Sequence, residues 1–292
     1  MEFLNQQLGA QVWLKAENLL PSGAYKYRGA MNKITSLIER YGKELRIVTA
    51  SSGNHGMACA LAARNLGVQA NVVVPVSTPQ VKKDSIRALG ANLVEVGATY
   101  DESFVSACEL AEKEHLYYVH PTSDRYTVGG QGTISLEILD QCPQVEQIVV
   151  PIGGGGLITG IALTMKTLKP SVKIYGVMPV GSAVYVESRR QGQLVTLDHC
   201  SSMADAVVRK TGEEYLYPYI EKYVDDIFTV TEDSIRQAVR TACLYGKLTL
   251  EGSGALALAA LLEKKCPLSP GTVLICSGGN IDKAVLDLCM QA

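Results

Sequence analysis

The chain has 292 residues, 47% of them hydrophobic and 19% charged, with a formal net charge of −2. That length can bury a sizeable core in one large domain or two lobes. The near-neutral charge gives no electrostatic basis for binding nucleic acid or an anionic membrane. Three Phe and one Trp leave little surface for stacking bases, and no apolar run is long enough to span a bilayer. The first residues lack the basic start and apolar centre of a signal peptide. Eight dispersed cysteines without a CxxC pair read as free thiols in a reducing compartment. Four histidines show no metal-ligand spacing. The expectation is a soluble, cytoplasmic protein with no metal site.

Along the chain, Val/Ile-rich runs at 46–50, 70–75, 92–96 and 116–119 alternate with helical patterns at 57–66, 79–89, 100–114 and 132–139. After a further run at 148–152 comes an apolar helical stretch at 157–165, and then runs at 173–177, 227–230 and 271–276. This alternation predicts βαβ units and mostly parallel sheet, with strands covered on both faces. Gly67 and Gly90 stand where helices end, and Thr231-Glu232-Asp233 is a helix start.

Four consecutive glycines, Gly153, Gly154, Gly155 and Gly156, separate the strand at 148–152 from its helix. Strand, glycine turn and helix N-terminus together form an anion site, because N–H groups converge and no Cβ intervenes. The plain alternative is a tight turn that binds nothing, for which four glycines are entropically costly. A dinucleotide loop requires GxGxxG and a later acid, but Ile158 or Thr159 takes the last glycine's place and Met178 the acid's. No Gly-Lys-Ser/Thr follows either. A cofactor with one terminal phosphate fits, and pyridoxal phosphate is the commonest. It requires a Schiff-base lysine, for which Lys26 in 21–30 is the candidate. Two more glycine-hydroxyl loops, at 51–56 and 277–280, follow strand patterns and are expected at the carboxyl ends of strands.

Taken together, Ser22-Gly23-Ala24-Tyr25-Lys26-Tyr27-Arg28-Gly29-Ala30, Ser52-Gly53-Asn54-His55-Gly56, Gly130-Gln131-Gly132-Thr133, Gly153-Gly154-Gly155-Gly156-Leu157 and Ser277-Gly278-Gly279-Asn280 resemble the fold type II pyridoxal phosphate enzymes. Within them the likeness is to the threonine dehydratase and serine racemase group, from about Leu14 to Asp282. The resemblance implies an α/β fold of two lobes, with mostly parallel twisted sheets flanked by helices. A small lobe at 46–123 would be inserted in a large one, 1–45 and 124–292. It also implies a homodimer and a small amino-acid substrate.

The resemblance assigns roles residue by residue. Lys26 would carry the cofactor and shuttle the Cα proton, next to Tyr25, where phenylalanine is usual. Ser51, Ser52, Gly53, Asn54 and His55 would hold the substrate carboxylate, and Asn54 would also meet the ring hydroxyl. Gly153, Gly154, Gly155, Gly156 and Leu157 would bind the phosphate. Ser277 would meet the pyridine nitrogen, with Glu251 beside the cofactor. The racemases' cation-site acids are replaced by Met178 and Val184. The implied reaction is elimination and deamination of L-serine or L-threonine to a 2-oxo acid and ammonia. Ser52, placed as the racemases' second acid/base, gives racemisation as the alternative. A cofactor-binding non-enzyme is the third reading.

Overall fold

The computed structural model describes residues 2–9 and 11–291. Its first elements are α1 (Glu2–Leu8), β1 (Trp13–Ala16), α2 (Lys26–Tyr41), β2 (Arg46–Ala50), α3 (Asn54–Leu66), β3 (Gln69–Val74), α4 (Gln80–Ala88), β4 (Asn92–Glu95), α5 (Tyr100–Lys113) and β5 (Tyr117–Tyr118). There follow α6 (Arg125–Gln141), β6 (Gln147–Pro151), α7 (Gly156–Leu168), β7 (Lys173–Pro179), α8 (Val184–Gln191) and α9 (Tyr217–Tyr223). The last are β8 (Asp226–Val230), α10 (Glu232–Thr241), α11 (Gly252–Leu262), β9 (Thr272–Cys276) and α12 (Lys283–Gln291).

The strands form two sheets, ordered β1-β9-β6-β7-β8 and β4-β3-β2-β5. Every ladder between named strands is parallel. The sequence dictates this arrangement. β6 and β9 are buried at every position, so they need cover on both faces, which crossover helices supply. α11, Gly-Ser-Gly-Ala-Leu-Ala-Leu-Ala-Ala-Leu-Leu, has no polar face and is buried almost throughout.

The chain divides into two compact units. One comprises the residues up to Gly23 and those from Gln131 onward; the other is Ala24–Gly130. The five-stranded sheet lies in the first and the four-stranded sheet in the second. The second unit is therefore wider than the 46–123 expected from the sequence. The reason is packing: Ala30, Ile34 and Leu37 of α2 share one apolar core with Ile47, Ala58, Ala62 and Val72. The boundary falls inside α6, which carries no sequence mark of a linker. In the larger unit the core runs from Val149 and Val177 through α10 and α11 to Leu274.

Candidate active site

In the smaller unit, Lys26 opens α2, and its Nζ donates to the Pro121 carbonyl at 2.8 Å. The same amine lies 5.2 Å from the centre of the Tyr25 ring. Residues 119–121 follow β5, which pairs with β2. The loop Ser51 to Gly53 leaves β2 and enters α3, so its N–H groups belong to a helix N-terminus. The Ser51 hydroxyl accepts from the Gly53 N–H at 3.3 Å. Gly56 is required here, since a Cβ would overlap the Ser51 carbonyl oxygen.

Val119 joins the two parts of this unit's site. Its carbonyl lies 3.0 Å from His55 Nε2 and accepts from the Thr49 hydroxyl, also at 3.0 Å. The His55 ring is buried, with the Cys59 sulfur 3.5 Å from Nε2. Burial pushes the Cys59 thiol far above its ordinary range, and the Lys26 charge offsets this only in part. The His55 side chain thus anchors the loop to 119–121, and its main chain is what the loop can offer a carboxylate. Ser51, Ser52, Gly53 and Asn54 are half-buried.

In the larger unit, the glycine loop leaves β6 and Ser277 follows β9, and these strands are paired neighbours. Both segments therefore emerge at the carboxyl edge of one sheet, where open α/β sheets bind ligands. Gly155 has φ +93°, and a Cβ at Gly153 would lie 2.9 Å from Val207 Cα. The first turn of α7 leaves N–H groups with no intrahelical partner. Ser277 is buried, and its hydroxyl donates to the Ser253 carbonyl at a long 3.4 Å. Glu251 is buried one residue before α11, and its N–H donates to the Gly278 carbonyl at 3.1 Å. Asn280 Nδ2 donates to the Ser22 carbonyl at 2.9 Å, and the Gly279 N–H to the Gly23 carbonyl at 2.9 Å. Met178 and Val184 are fully buried.

Gly130 and Gly132 serve packing. A Cβ at Gly130 would lie 2.5 Å from the Arg28 carbonyl oxygen and 2.7 Å from Gly29 Cα, preventing the approach of α6 to α2. A Cβ at Gly132 would overlap the Thr164 hydroxyl on α7. The Pro121 carbonyl, which holds Lys26, had no mark in the sequence, because a main-chain acceptor is a property of fold rather than residue type.

The larger unit thus carries a glycine turn at the head of α7 and a buried hydroxyl one residue past the neighbouring strand, and the smaller unit carries a lysine amine at the start of α2. A family model described as pyridoxal-phosphate dependent enzyme matches residues 1–278. The chain is 37% identical over 284 residues to L-threonine ammonia-lyase of Thermotoga maritima, covering 97% of this chain and 71% of that one. It is 40% identical over 296 residues to serine racemase of Rattus norvegicus, covering 99% and 89%. The solved structure of the processed form of threonine deaminase isoform 2 from Solanum lycopersicum matches with a TM-score of 0.93 at 36% identity, covering 99% and 80%. The chain belongs to the pyridoxal-phosphate dependent enzymes, within the fold type II group of threonine dehydratases and serine racemases.

The residues present fit that cofactor. Gly153 and Gly155 are packed too closely by Val207, Ile220 and Tyr185 to carry side chains, so the turn offers bare main chain at the N-terminus of α7, where a phosphate could be bound. The long bond at Ser277 leaves its hydroxyl able to serve a ring nitrogen.

Proposed function

We propose that the chain is an ammonia-lyase for a small β-hydroxy amino acid such as L-threonine or L-serine. Pyridoxal phosphate, when bound, supplies an electron-withdrawing ring conjugated to the substrate nitrogen. Lys26 Nζ holds the cofactor and, once displaced by substrate, takes the Cα proton. The N–H groups of Ser51 to Asn54 and the start of α3 bind the carboxylate. Gly153, Gly154, Gly155, Gly156 and Leu157 bind the phosphate through main-chain N–H groups. By the same resemblance Tyr25 and Asn54 of the smaller unit and Glu251 of the larger would serve the cofactor.

The observation that carries the choice of elimination is the residue at the end of β9. Ser277 offers the ring nitrogen a neutral hydroxyl, which does not enforce protonation as a carboxylate would. Held that way, the ring would be a weaker electron sink, which suits elimination better than chemistry that must sustain a carbanion. Hydroxide leaves Cβ after the Cα proton is removed, and the released enamine hydrolyses to a 2-oxo acid and ammonia.

A second reading, racemisation, rests on Ser52. Its hydroxyl sits in the carboxylate loop, on the same strand-end edge of the smaller sheet as the Lys26 acceptor. One experiment separates the two: an amino-acid panel in deuterated water, scored together for 2-oxo acid and for the opposite enantiomer. Oxo-acid release without inversion supports the lyase; inversion with little oxo acid replaces it with the racemase; neither product returns the chain to a cofactor-binding non-enzyme.

We also propose a cytoplasmic homodimer. Eight free cysteines support a reducing compartment, and no helix among the described residues is long and apolar enough to cross a membrane. The dimer rests on resemblance to the family.

A further inference from the structure

Four successive glycines are the most permissive backbone a chain can offer, since each samples positive and negative φ alike. An anion site needs the opposite, a set of N–H groups held in one orientation before the ligand arrives. The lock must therefore come from outside the loop, and the larger unit contains a fitting one. Tyr185, on α8, is the largest fully buried side chain among the described residues. Its hydroxyl donates to the Gly154 carbonyl at 3.0 Å and accepts from the Glu213 N–H at 2.9 Å. A Cβ at Gly155 would lie 2.9 Å from that hydroxyl oxygen and 2.7 Å from Ile220 Cδ1. A Cβ at Gly212 would lie 2.6 Å from the phenol ring. Tyr217 stacks on the ring, with centroids 6.5 Å apart and planes 20° apart. The phenol is thus enclosed on several sides and makes two hydrogen bonds.

We propose that Tyr185 is a positioning residue for the phosphate loop: by holding the Gly154 carbonyl it fixes the Gly154–Gly155 peptide in the orientation that binds the cofactor's phosphate. In a trans peptide the carbonyl and the following N–H point in opposite directions. With the Gly154 carbonyl drawn onto the buried phenol, the Gly155 N–H points away from it. Without the hydroxyl, the carbonyl loses its partner in a sealed environment, and a glycine-flanked peptide is free to turn toward another one. Burial pushes the phenol well above its ordinary titration range, so it remains a donor at any working pH.

This inference rests on the reading that residues 153–157 bind phosphate, and the test separates the two. Apoprotein is titrated with pyridoxal phosphate and with pyridoxal, which lacks the phosphate, for wild type and Tyr185→Phe. Wild type is expected to prefer the phosphorylated ligand strongly. Tyr185→Phe is expected to lose about tenfold in affinity for pyridoxal phosphate, the scale of one hydrogen bond, with less than about twofold lost for pyridoxal. The ³¹P resonance of the bound ligand shifts in the variant. Equal losses for both ligands, or no loss, overturn the role of Tyr185 and leave the loop assignment standing. A wild type that does not discriminate between the ligands overturns both. If Tyr185→Phe does not fold, wild type labelled at tyrosine ¹³Cζ decides the matter. A buried tyrosine resonance that moves with pyridoxal phosphate but not with pyridoxal supports the proposal, and its absence refutes it.

Discussion

Lys26 Nζ is hydrogen-bonded to the Pro121 carbonyl oxygen at 2.8 Å, and Val119, two residues earlier, accepts from Thr49 and lies 3.0 Å from the His55 ring. The lysine amine and the loop at the start of α3 are thus referenced to the same short segment after β5. A lysine on a flexible four-carbon stem loses rotamer freedom when held this way. The bond to Pro121 keeps the amine near one place.

If Lys26 is the attachment point and the proton carrier, Lys26→Ala should lower turnover by about a thousandfold or more. It should also abolish the visible absorbance band that borohydride bleaches in wild type. Release of 2-oxo acid within about tenfold of wild type would remove Lys26 from the mechanism.

Ser52 is the residue on which the two reaction readings divide. Ser52→Ala should suppress any appearance of the opposite enantiomer by about a hundredfold while elimination stays within about tenfold of wild type. Chiral chromatography of unconverted substrate measures the first, and coupled 2-oxo acid assay the second. An undiminished racemisation rate would assign the second proton transfer to another group.

Gly56 packs against the loop at 51–53: a methyl there would meet the Ser51 carbonyl oxygen, and Ser51 is itself tied to the sheet by its N–H, which donates to the Val73 carbonyl at 3.1 Å. Overpacking against main chain costs about 1–3 kcal/mol. Gly56→Ala should therefore lower the melting temperature by roughly 2–5 °C for a chain of this size. If Ser51 to Asn54 bind the substrate carboxylate as proposed, it should also raise KM more than it lowers kcat. A melting curve and KM both unchanged would show that the loop relaxes freely.

The parts of the fold that follow from hydrophobic pattern were legible in the sequence. The run at 46–50 coincides with β2, and 148–152 lies within one residue of β6 at each end, because strands buried on both faces are unbroken apolar runs. β1 was not anticipated: Trp13 is exposed, its other three residues are half-buried, and it takes its partner from β9, far away in sequence. The unit boundary at Gly130 was hidden because a helix crosses it. The glycine loop and Ser277 declared themselves by composition. Tyr185 did not, since one tyrosine in an amphipathic stretch reads as ordinary core, and its contact with Gly154 exists only once α8 has packed.

Asp124 carries a prediction about stability that is independent of the chemistry. Its carboxylate pairs with Lys33 at 2.6 Å, and Oδ1 accepts from the N–H groups of Tyr126 and Thr127, each at 2.9 Å, at the start of α6. Burial alone would raise its pKa, but the Lys33 bond and the two N–H groups outweigh burial and hold it below the ordinary value of 3.8. A carboxylate whose folded pKa is depressed stabilises the fold above its unfolded pKa, and that contribution is lost as pH falls through the folded value. Asp124→Asn keeps an acceptor for the helix N–H groups and removes the charge pairing. At pH 7 it should melt lower than wild type, by an amount corresponding to about 1–3 kcal/mol for a charge-assisted hydrogen bond. The difference between the two melting curves should narrow as pH falls below about 4 and vanish once the folded wild-type carboxylate is protonated. A gap that stayed constant from pH 7 to pH 3 would mean that the Lys33 pairing contributes nothing, leaving Asp124 as a helix cap alone.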